Sequence, residues 1–549
     1  MKNLHLWIIC SGILLLTSIN IQAQNQNNFE ISKSLDIYTS LLRELNLSYV
    51  DEINPAELNE IAIKSMLEDL DPYTVFVPEA EIENFQLMTT GEYGGIGSLI
   101  QLIDGKVTIT EPYAGFPAQK SGLIPGDAIL EINGVDATGK NTSAISELLK
   151  GQPGSAIELK IKREGFDKPL SKTLIREKIK IDNIPYHTVF ENGIGYLLLT
   201  GFTQKAASEM KEILLQMKED YDLKGFIIDL RSNGGGLLNE AVDICNLFVD
   251  KGELIVSMRG KTAEKTTVHR TRQAPVDKSL PIIVLVNEAS ASASEIVAGA
   301  LQDLDRAVII GQRTFGKGLV QNVVPLSYNT QMKVTVAKYY IPSGRCIQEV
   351  DYSHKTKTDT TKRDSLVSTF KTRNGRLVYD GKGIAPDVPL DAQTYSAVTA
   401  NLYAGNYIFK FANQFAQNHK SIAKTEDFKI TEEIYTDFIN YLEENNFSYI
   451  TESERMIENM RRIADQEAYK DAIETQLHAL EEQLMTYKKN DLQKHRSEIE
   501  ELLKMEIVQR YYYQKGKIIS ALQDDPELQT AFDILLDQSR YQQILSPEQ

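Results

Sequence analysis

Three cysteines in 549 residues are too few for a disulfide framework. Cys10 lies inside an apolar stretch, and Cys245 and Cys346 are isolated, so one bridge in an oxidising compartment is the most the chain can form. Basic residues are in deficit: 59 Lys and Arg against 76 Asp and Glu give a formal net charge of −17. That argues against a broad nucleic-acid surface, because phosphate binding needs a surplus of cations. Histidine is scarce, at seven residues, and none stands in a loop that reads as catalytic. Long apolar runs are absent beyond the N-terminus. There, Lys2 precedes the run Leu6 to Leu16, and Ile21-Gln22-Ala23 leads into a polar Gln/Asn segment. The run is short for a membrane span and fits an export signal cleaved after Ala23, with an uncleaved anchor as the alternative. The mature protein is expected to be soluble and to work in the periplasm or cell envelope.

What is there divides into regions. The length alone suggests about three or four domains. After the signal, 1–23, residues 24–90 read as helical, with Ile31, Leu35, Tyr38, Leu41, Leu42 and Leu45 on a helical period. This face is expected to serve packing or dimer contact. Residues 91–178 change character: glycines punctuate short β-branched runs, and Asn133-Gly134 is a strong hairpin signal. Residues 179–394 alternate strand-like and helix-like segments, the pattern of a largely parallel sheet covered by helices. Residues 395–549 are helical and polar, without a chemical motif. Tyr511-Tyr512-Tyr513 reads there as helix packing or as a contact surface.

The alternating region carries the chemistry. The apolar run Pro281–Val286 enters a turn of small residues, Asn287-Glu288-Ala289-Ser290-Ala291-Ser292-Ala293-Ser294-Glu295, and a helix-like run follows. A strand-to-helix turn can expose a nucleophile above a sheet. Alone, the stretch reads more simply as a tightly packed helix start capped by Ser290 or Ser292. A serine needs a base, and Lys317, between Gly316 and Gly318, is the better candidate than any histidine. Lysine acts as a base only when neutral, which burial promotes, and Phe315, Leu319 and Val320 could line it. Gln321, four residues on, can share its face and orient the amine. The alternative is a solvated basic loop. The loop Arg231-Ser232-Asn233-Gly234-Gly235-Gly236 follows another strand. It reads either as a flexible turn or as an oxyanion hole, with Gly235 or Gly236 giving one amide and Ala293, at a helix start, the other. A phosphate loop fits poorly, since neither glycine spacing is present.

Two resemblances follow. Gly122-Leu123-Ile124-Pro125-Gly126-Asp127 and Ile132-Asn133-Gly134 make residues 91–178 similar to a PDZ domain. That implies a peptide bound at a sheet edge, its terminal carboxylate received by the backbone of Gly95, Ile96 and Gly97; an ordinary glycine turn is the alternative. The serine turn, the glycine loop after Asp229, Thr314-Phe315-Gly316-Lys317-Gly318, Tyr340-Ile341-Pro342-Ser343-Gly344-Arg345 and Gly381-Lys382-Gly383-Ile384-Ala385-Pro386-Asp387 together resemble the C-terminal processing peptidases, or tail-specific proteases. The resemblance covers roughly residues 30–392. It implies an α/β fold: a crotonase-like parallel-sheet protease core with an inserted PDZ domain and helical N- and C-terminal regions. It also implies Ser292 as nucleophile, Lys317 as general base and Gln321 beside it. No metal or cofactor is called for. Ser232 stands where Asn is more usual.

The expected function is a serine endopeptidase that recognises the C-terminal tails of unfolded or tail-exposed exported proteins and cleaves through an acyl-enzyme. The C-terminal helices are expected to serve oligomerisation or an adaptor. A PDZ scaffold without catalysis, and an acyl-thioester enzyme, are the readings it competes with. The intact Ser, Lys and Gln weigh against the first, and the PDZ domain and export signal against the second.

Overall fold

Aliphatic runs that alternate their side chains between two faces build the centre of the protein. The computed structural model describes residues 28–82, 90–350, 352 and 368–547, and the expected export signal lies outside them. Strands Ile194–Leu198, Gly225–Asp229, Ile282–Val286 and Val308–Gly311 run parallel in that order, Val388–Pro389 extends the sheet at one end, and Tyr186–Val189 pairs antiparallel at the other. Ile282, Val284 and Val286 pack on one side with the helices Ala206–Asp220, Leu238–Asn246 and Ala293–Asp303, while Ile283 and Leu285 pack on the other. A parallel strand buried on both faces needs cover on both.

The second cover comes from the far end of the chain. Leu528, Ala531, Ile534, Leu535 and Tyr541, on helices Pro526–Leu536 and Gln538–Ile544, and Leu545, which caps the second, join Ile194, Tyr196, Ile227, Val308 and Ile310 in one core. The Tyr541 hydroxyl accepts from the Ile282 N–H at 3.0 Å. The sequence reading kept 395–549 as one helical region; the structure gives its last two helices to the parallel sheet. A second core of the region gathers Phe411, Phe438, Leu503 and Ile507, on helices Tyr407–Asn418, Glu432–Glu444 and Arg496–Leu522. Of the three tyrosines, Tyr511 and Tyr512 donate to backbone carbonyls within this region, and the Tyr513 hydroxyl accepts from Gln119 of the glycine-punctuated region at 3.2 Å.

That region is an antiparallel sheet, with strands Ser98–Ile103, Lys106–Pro112, Ala128–Ile132, Ala156–Lys162 and Leu170–Ile175 in this order and the helix Thr142–Leu149 beside it. Asn133 and Gly134, with φ of 49° and 81°, make the expected tight turn between Ile132 and its partner Val135. Ser98–Ile103 is an edge strand. Glu92–Gly95 and Glu177–Lys180 pair antiparallel, so the chain enters and leaves the domain through adjacent strands, as an insertion requires.

A separate unit gathers the chain up to Val77 with Val323–Val334. Asn54 caps its helix Pro55–Glu68, accepting from the N–H of Ala56 and Glu57, and Val75–Val77 pairs antiparallel with Gln331–Lys333. Of the apolar residues read on one face of the helical segment 28–48, Ile31, Leu35 and Leu41 are more than half exposed, while Tyr38, Leu42 and Leu45 are half-buried. No helix of the described residues is long and apolar enough to cross a membrane.

One buried ion pair anchors the helix Ala293–Asp303 at its C-terminal end. Arg345, from the Tyr340–Arg345 motif, lies 2.9 Å from Asp303 with both side chains essentially inaccessible, and the second Asp303 oxygen accepts from the Ser343 N–H at 2.9 Å. Removing one partner strands the other charge in the core. Arg345→Ala is therefore expected to lower stability by about 3–5 kcal/mol, read as a fall in the denaturant midpoint; an unchanged midpoint would refute the anchoring role.

Candidate active site

The serine turn sits where the strand Ile282–Val286 hands over to the helix Ala293–Asp303, and its three hydroxyls have different fates. Ser290 is buried: its hydroxyl donates to the Leu230 carbonyl at 2.8 Å and accepts from the Asn287 N–H at 2.9 Å. Ser294 is buried and donates to the Asn233 carbonyl at 2.8 Å. Ser292 alone of the three is partly exposed. Its backbone has φ 58° and ψ −111°, a conformation L-residues rarely adopt and which costs about 1–3 kcal/mol. A strained turn at a strand–helix junction presents a side chain outward. Family resemblance selected Ser292 in the sequence; in the structure the hydroxyls of Ser290 and Ser294 are buried and committed to backbone carbonyls.

Glu295 joins this turn to the lysine loop. Its carboxylate is fully buried. Oε2 accepts from the N–H groups of Ser292 and Lys317 at 2.8 and 2.9 Å. Oε1 accepts from the Gly316 N–H and the Thr314 hydroxyl, both at 2.7 Å. Burial pushes the pKa of this carboxyl up, against the pull of those donors. Every partner donates, so the ionised form is the one the site satisfies. The capping-box spacing Ser292-x-x-Glu295 was the signal that could have singled out this residue.

Lys317 is half-buried and its backbone is held on both sides. The Tyr339 hydroxyl donates to its carbonyl, and the Gly318 N–H donates to Gln348 at 2.7 Å. Leu319 is buried and Val320 packs against the core, but Phe315, expected beside them, is 49% exposed and gives little shielding. Gln321 lies on the strand Leu319–Pro325, and its amide donates to Thr335 on the paired strand at 3.3 Å. Thr314 also accepts from the Ile384 N–H at 2.7 Å, which ties in the Gly381–Asp387 motif.

The glycine loop packs directly against the serine turn. A Cβ on Gly235 would stand 2.7 Å from the Ala291 carbonyl and 2.9 Å from the Ala293 nitrogen, and with φ at +99° only glycine fits. Asn233, missed in the sequence, organises the loop: its amide donates to the Leu199 carbonyl at 2.6 Å, and its Oδ1 accepts from the Gly235 N–H at 2.9 Å. That bond occupies the Gly235 donor. The N–H groups of Gly236 and Ala293 carry no hydrogen bond among the described residues. In the PDZ-like domain, the loop Gly95-Ile96-Gly97 opens the edge strand, and the N–H groups of Ile96 and Gly97 likewise have no partner there. Phe116 lies where a Gly97 side chain would go. Among the described residues no group of three His, Cys, Asp or Glu is placed to hold a metal ion, and Cys245 and Cys346 form no disulfide.

Comparison with known proteins decides the family. A carboxy-terminal-processing protease of Bartonella bacilliformis is 37% identical over 346 residues, covering 62% of this chain and 79% of that protein. The chain belongs to the carboxy-terminal processing proteases. A second member of that family, from Bacillus subtilis, is 31% identical over 64% of this chain and 75% of its own length. Residues 193–355 match peptidase family S41, 108–163 a PDZ domain, and 398–535 the probable PDZ-protease C-terminal helical domain. The solved structure of a photosystem II D1 C-terminal processing protease is 29% identical, covers 64% of this chain and 86% of its own, and superposes with a TM-score of 0.37. As a member of this family the protein is a serine-type peptidase with an α/β core and a PDZ domain.

The Glu295 junction yields a test. In Glu295→Gln the amide group would face donors, leaving N–H or O–H groups without acceptors at about 1–3 kcal/mol each. The melting temperature should fall, and cleavage per folded molecule should drop ~100-fold as the two loops lose register. Wild-type turnover per folded molecule would show that Glu295 does not set that register.

Proposed function

We propose that this protease is an exported serine endopeptidase that selects substrates by their C-terminal tails and cleaves through Ser292, with Lys317 as general base and an acyl-enzyme intermediate. The observation that carries the proposal is the single Glu295 oxygen that accepts from the N–H of Ser292 and of Lys317. In this reading the Ser292 hydroxyl attacks the scissile carbonyl while neutral Lys317 takes its proton. The developing oxyanion takes hydrogen bonds from Gly236 and Ala293, whose N–H groups are uncommitted, at the start of a helix whose dipole favours negative charge. Gly235, expected as a donor too, contributes close approach instead, because Asn233 holds its N–H. Lys317 returns the proton to the leaving amine, and water then clears the ester. Gln321 completes the base side by orienting the amine, a role that requires it to leave Thr335.

Tail recognition is assigned to the edge strand Ser98–Ile103. A peptide adding there would pair its backbone with the strand and set its carboxylate on the Ile96 and Gly97 amides. Export rests on Lys2 and the apolar run Leu6 to Leu16.

Two measurements bear on this reading. Ser292→Ala and Lys317→Ala should each lower cleavage of an unstructured, apolar-tailed protein by at least about a thousandfold with the fold intact, whereas Ser294→Ala should lose stability and keep turnover. Substantial activity in either of the first two variants removes the dyad. Amidating the substrate's C-terminus should raise KM about tenfold and leave kcat unchanged, because one anionic contact is lost in ground and transition state alike; equal KM for acid and amide would remove the proposed carboxylate site.

A further inference from the structure

The acidic start of the helix Pro526–Leu536 reaches both loops of the site. Asp525 caps this helix, one oxygen accepting from the N–H of Glu527 and Leu528 at 2.9 and 3.1 Å, while its other oxygen lies 2.7 Å from the Arg231 guanidinium. Glu527 Oε2 accepts from another guanidinium nitrogen at 2.8 Å. Asp229 completes the set at 2.5 Å from Arg231 and accepts from the Tyr196 hydroxyl at 2.7 Å. The second Glu527 oxygen turns the other way and accepts from Gln312 Nε2 at 2.5 Å.

The positions of these partners give the contact its meaning. Arg231 stands directly before Ser232-Asn233-Gly234-Gly235-Gly236, at the root of the glycine loop. Gln312 stands directly after the strand Val308–Gly311, at the root of the loop that carries Lys317. One carboxylate thus holds the roots of both loops, as Glu295 holds the tips of the serine and lysine loops. The side chains of Arg231, Asp525 and Glu527 are only 20%, 9% and 12% exposed, so solvent and salt screen them little. Guanidinium–carboxylate bonds are directional as well as strong. A loop turned at its root carries its tip along, and about 1 Å of misplacement at a reacting centre can cost ~100-fold in rate.

We propose that Glu527 is a positioning residue for the peptidase reaction: from the C-terminal helices it sets the placement of the oxyanion loop relative to the lysine loop. The inference rests on the Ser292/Lys317 reading above. It makes the C-terminal region part of the catalytic unit, although Glu527 touches neither substrate nor reacting atoms.

The test uses the full-length protein, an unstructured apolar-tailed reporter, and titration of reactive serines with a fluorophosphonate. Glu527→Ala should lower kcat per titrated site about tenfold with KM within about twofold, and Glu527→Gln, which keeps one acceptor, should recover part of the loss. Gln312→Ala should also lower kcat per site, and the double variant should be no worse than the poorer single one, because both break one bridge. Wild-type kcat per site in Glu527→Ala overturns the inference, as does a loss fully explained by fewer titratable sites or strict additivity with Gln312→Ala. If Glu527→Ala does not fold, Gln312→Ala decides alone: unchanged kcat per site overturns the inference. Activity retained in Ser292→Ala overturns the dyad and this inference with it, whereas an inactive Ser292→Ala beside a fully active Glu527→Ala overturns this inference only.

Discussion

The site depends on one buried carboxylate. Glu295 takes four hydrogen bonds, from the serine turn, the lysine loop and the Thr314 hydroxyl, at a position with no solvent-accessible surface. Burying such a charge is costly unless its lone pairs are filled, and this one is filled only when the turn after Ile282–Val286 and the loop after Val308–Gly311 come together. The penalty for leaving it unsatisfied therefore works as a constraint on geometry. Two loops that follow neighbouring parallel strands are thereby held together above the sheet, where the Phe315 N–H also donates to the Ser290 carbonyl at 3.1 Å. The same carboxylate offsets the strain at Ser292, because it binds the N–H of the residue whose φ is 58°.

The constraint explains why several glycines cluster nearby. Gly235 lies so close to the backbone of Ala291 and Ala293 that any side chain would displace the serine turn, and Gly383 stands as close to the Thr314 carbonyl. Motifs far apart in the chain are thus parts of one packed object. Thr314 makes this explicit: its hydroxyl donates to Glu295 and accepts from Ile384, so the Gly381–Asp387 segment braces the lysine loop from outside.

Much of this was legible in the sequence. The apolar runs at 195–199, 225–230 and 281–286 announced the parallel strands because buried strands are apolar on both faces, and Asn133-Gly134 announced its turn because few other pairs tolerate two positive φ values. The loops that carry Ser292, Lys317 and the triple glycine were legible because each follows such a strand. Other features were not. The capping-box spacing marks Glu295 as a helix cap but not its bonds to the lysine loop about 20 positions on, and nothing local marks Asn233, which bonds across 34 and 61 positions. Phe315 was read as shielding because it is apolar, but side-chain direction at a glycine-flanked position is not set by a period. The second cover of the sheet was missed because a helix such as Pro526–Leu536 shows only that it has an apolar face, never which surface it meets.

That missing cover changes how the C-terminal region should be understood. Ile227, Ile283, Leu285 and Val308 are fully buried only because Leu528, Ala531, Ile534 and Leu535 lie over them. Burying one such side chain is worth about 1.5–3 kcal/mol, so the peptidase sheet without its last helices would expose an apolar face on the side opposite the serine helix. The same region reaches the PDZ domain through Gln509, which donates to the buried Glu111 at 2.8 Å, and through Lys410, 2.7 Å from Asp104. A region with no chemical motif of its own is thus packed against both the PDZ domain and the sheet that bears the serine turn. Its polar sequence reflects that arrangement: the helices keep a solvated outer face and spend their apolar residues on two different partners.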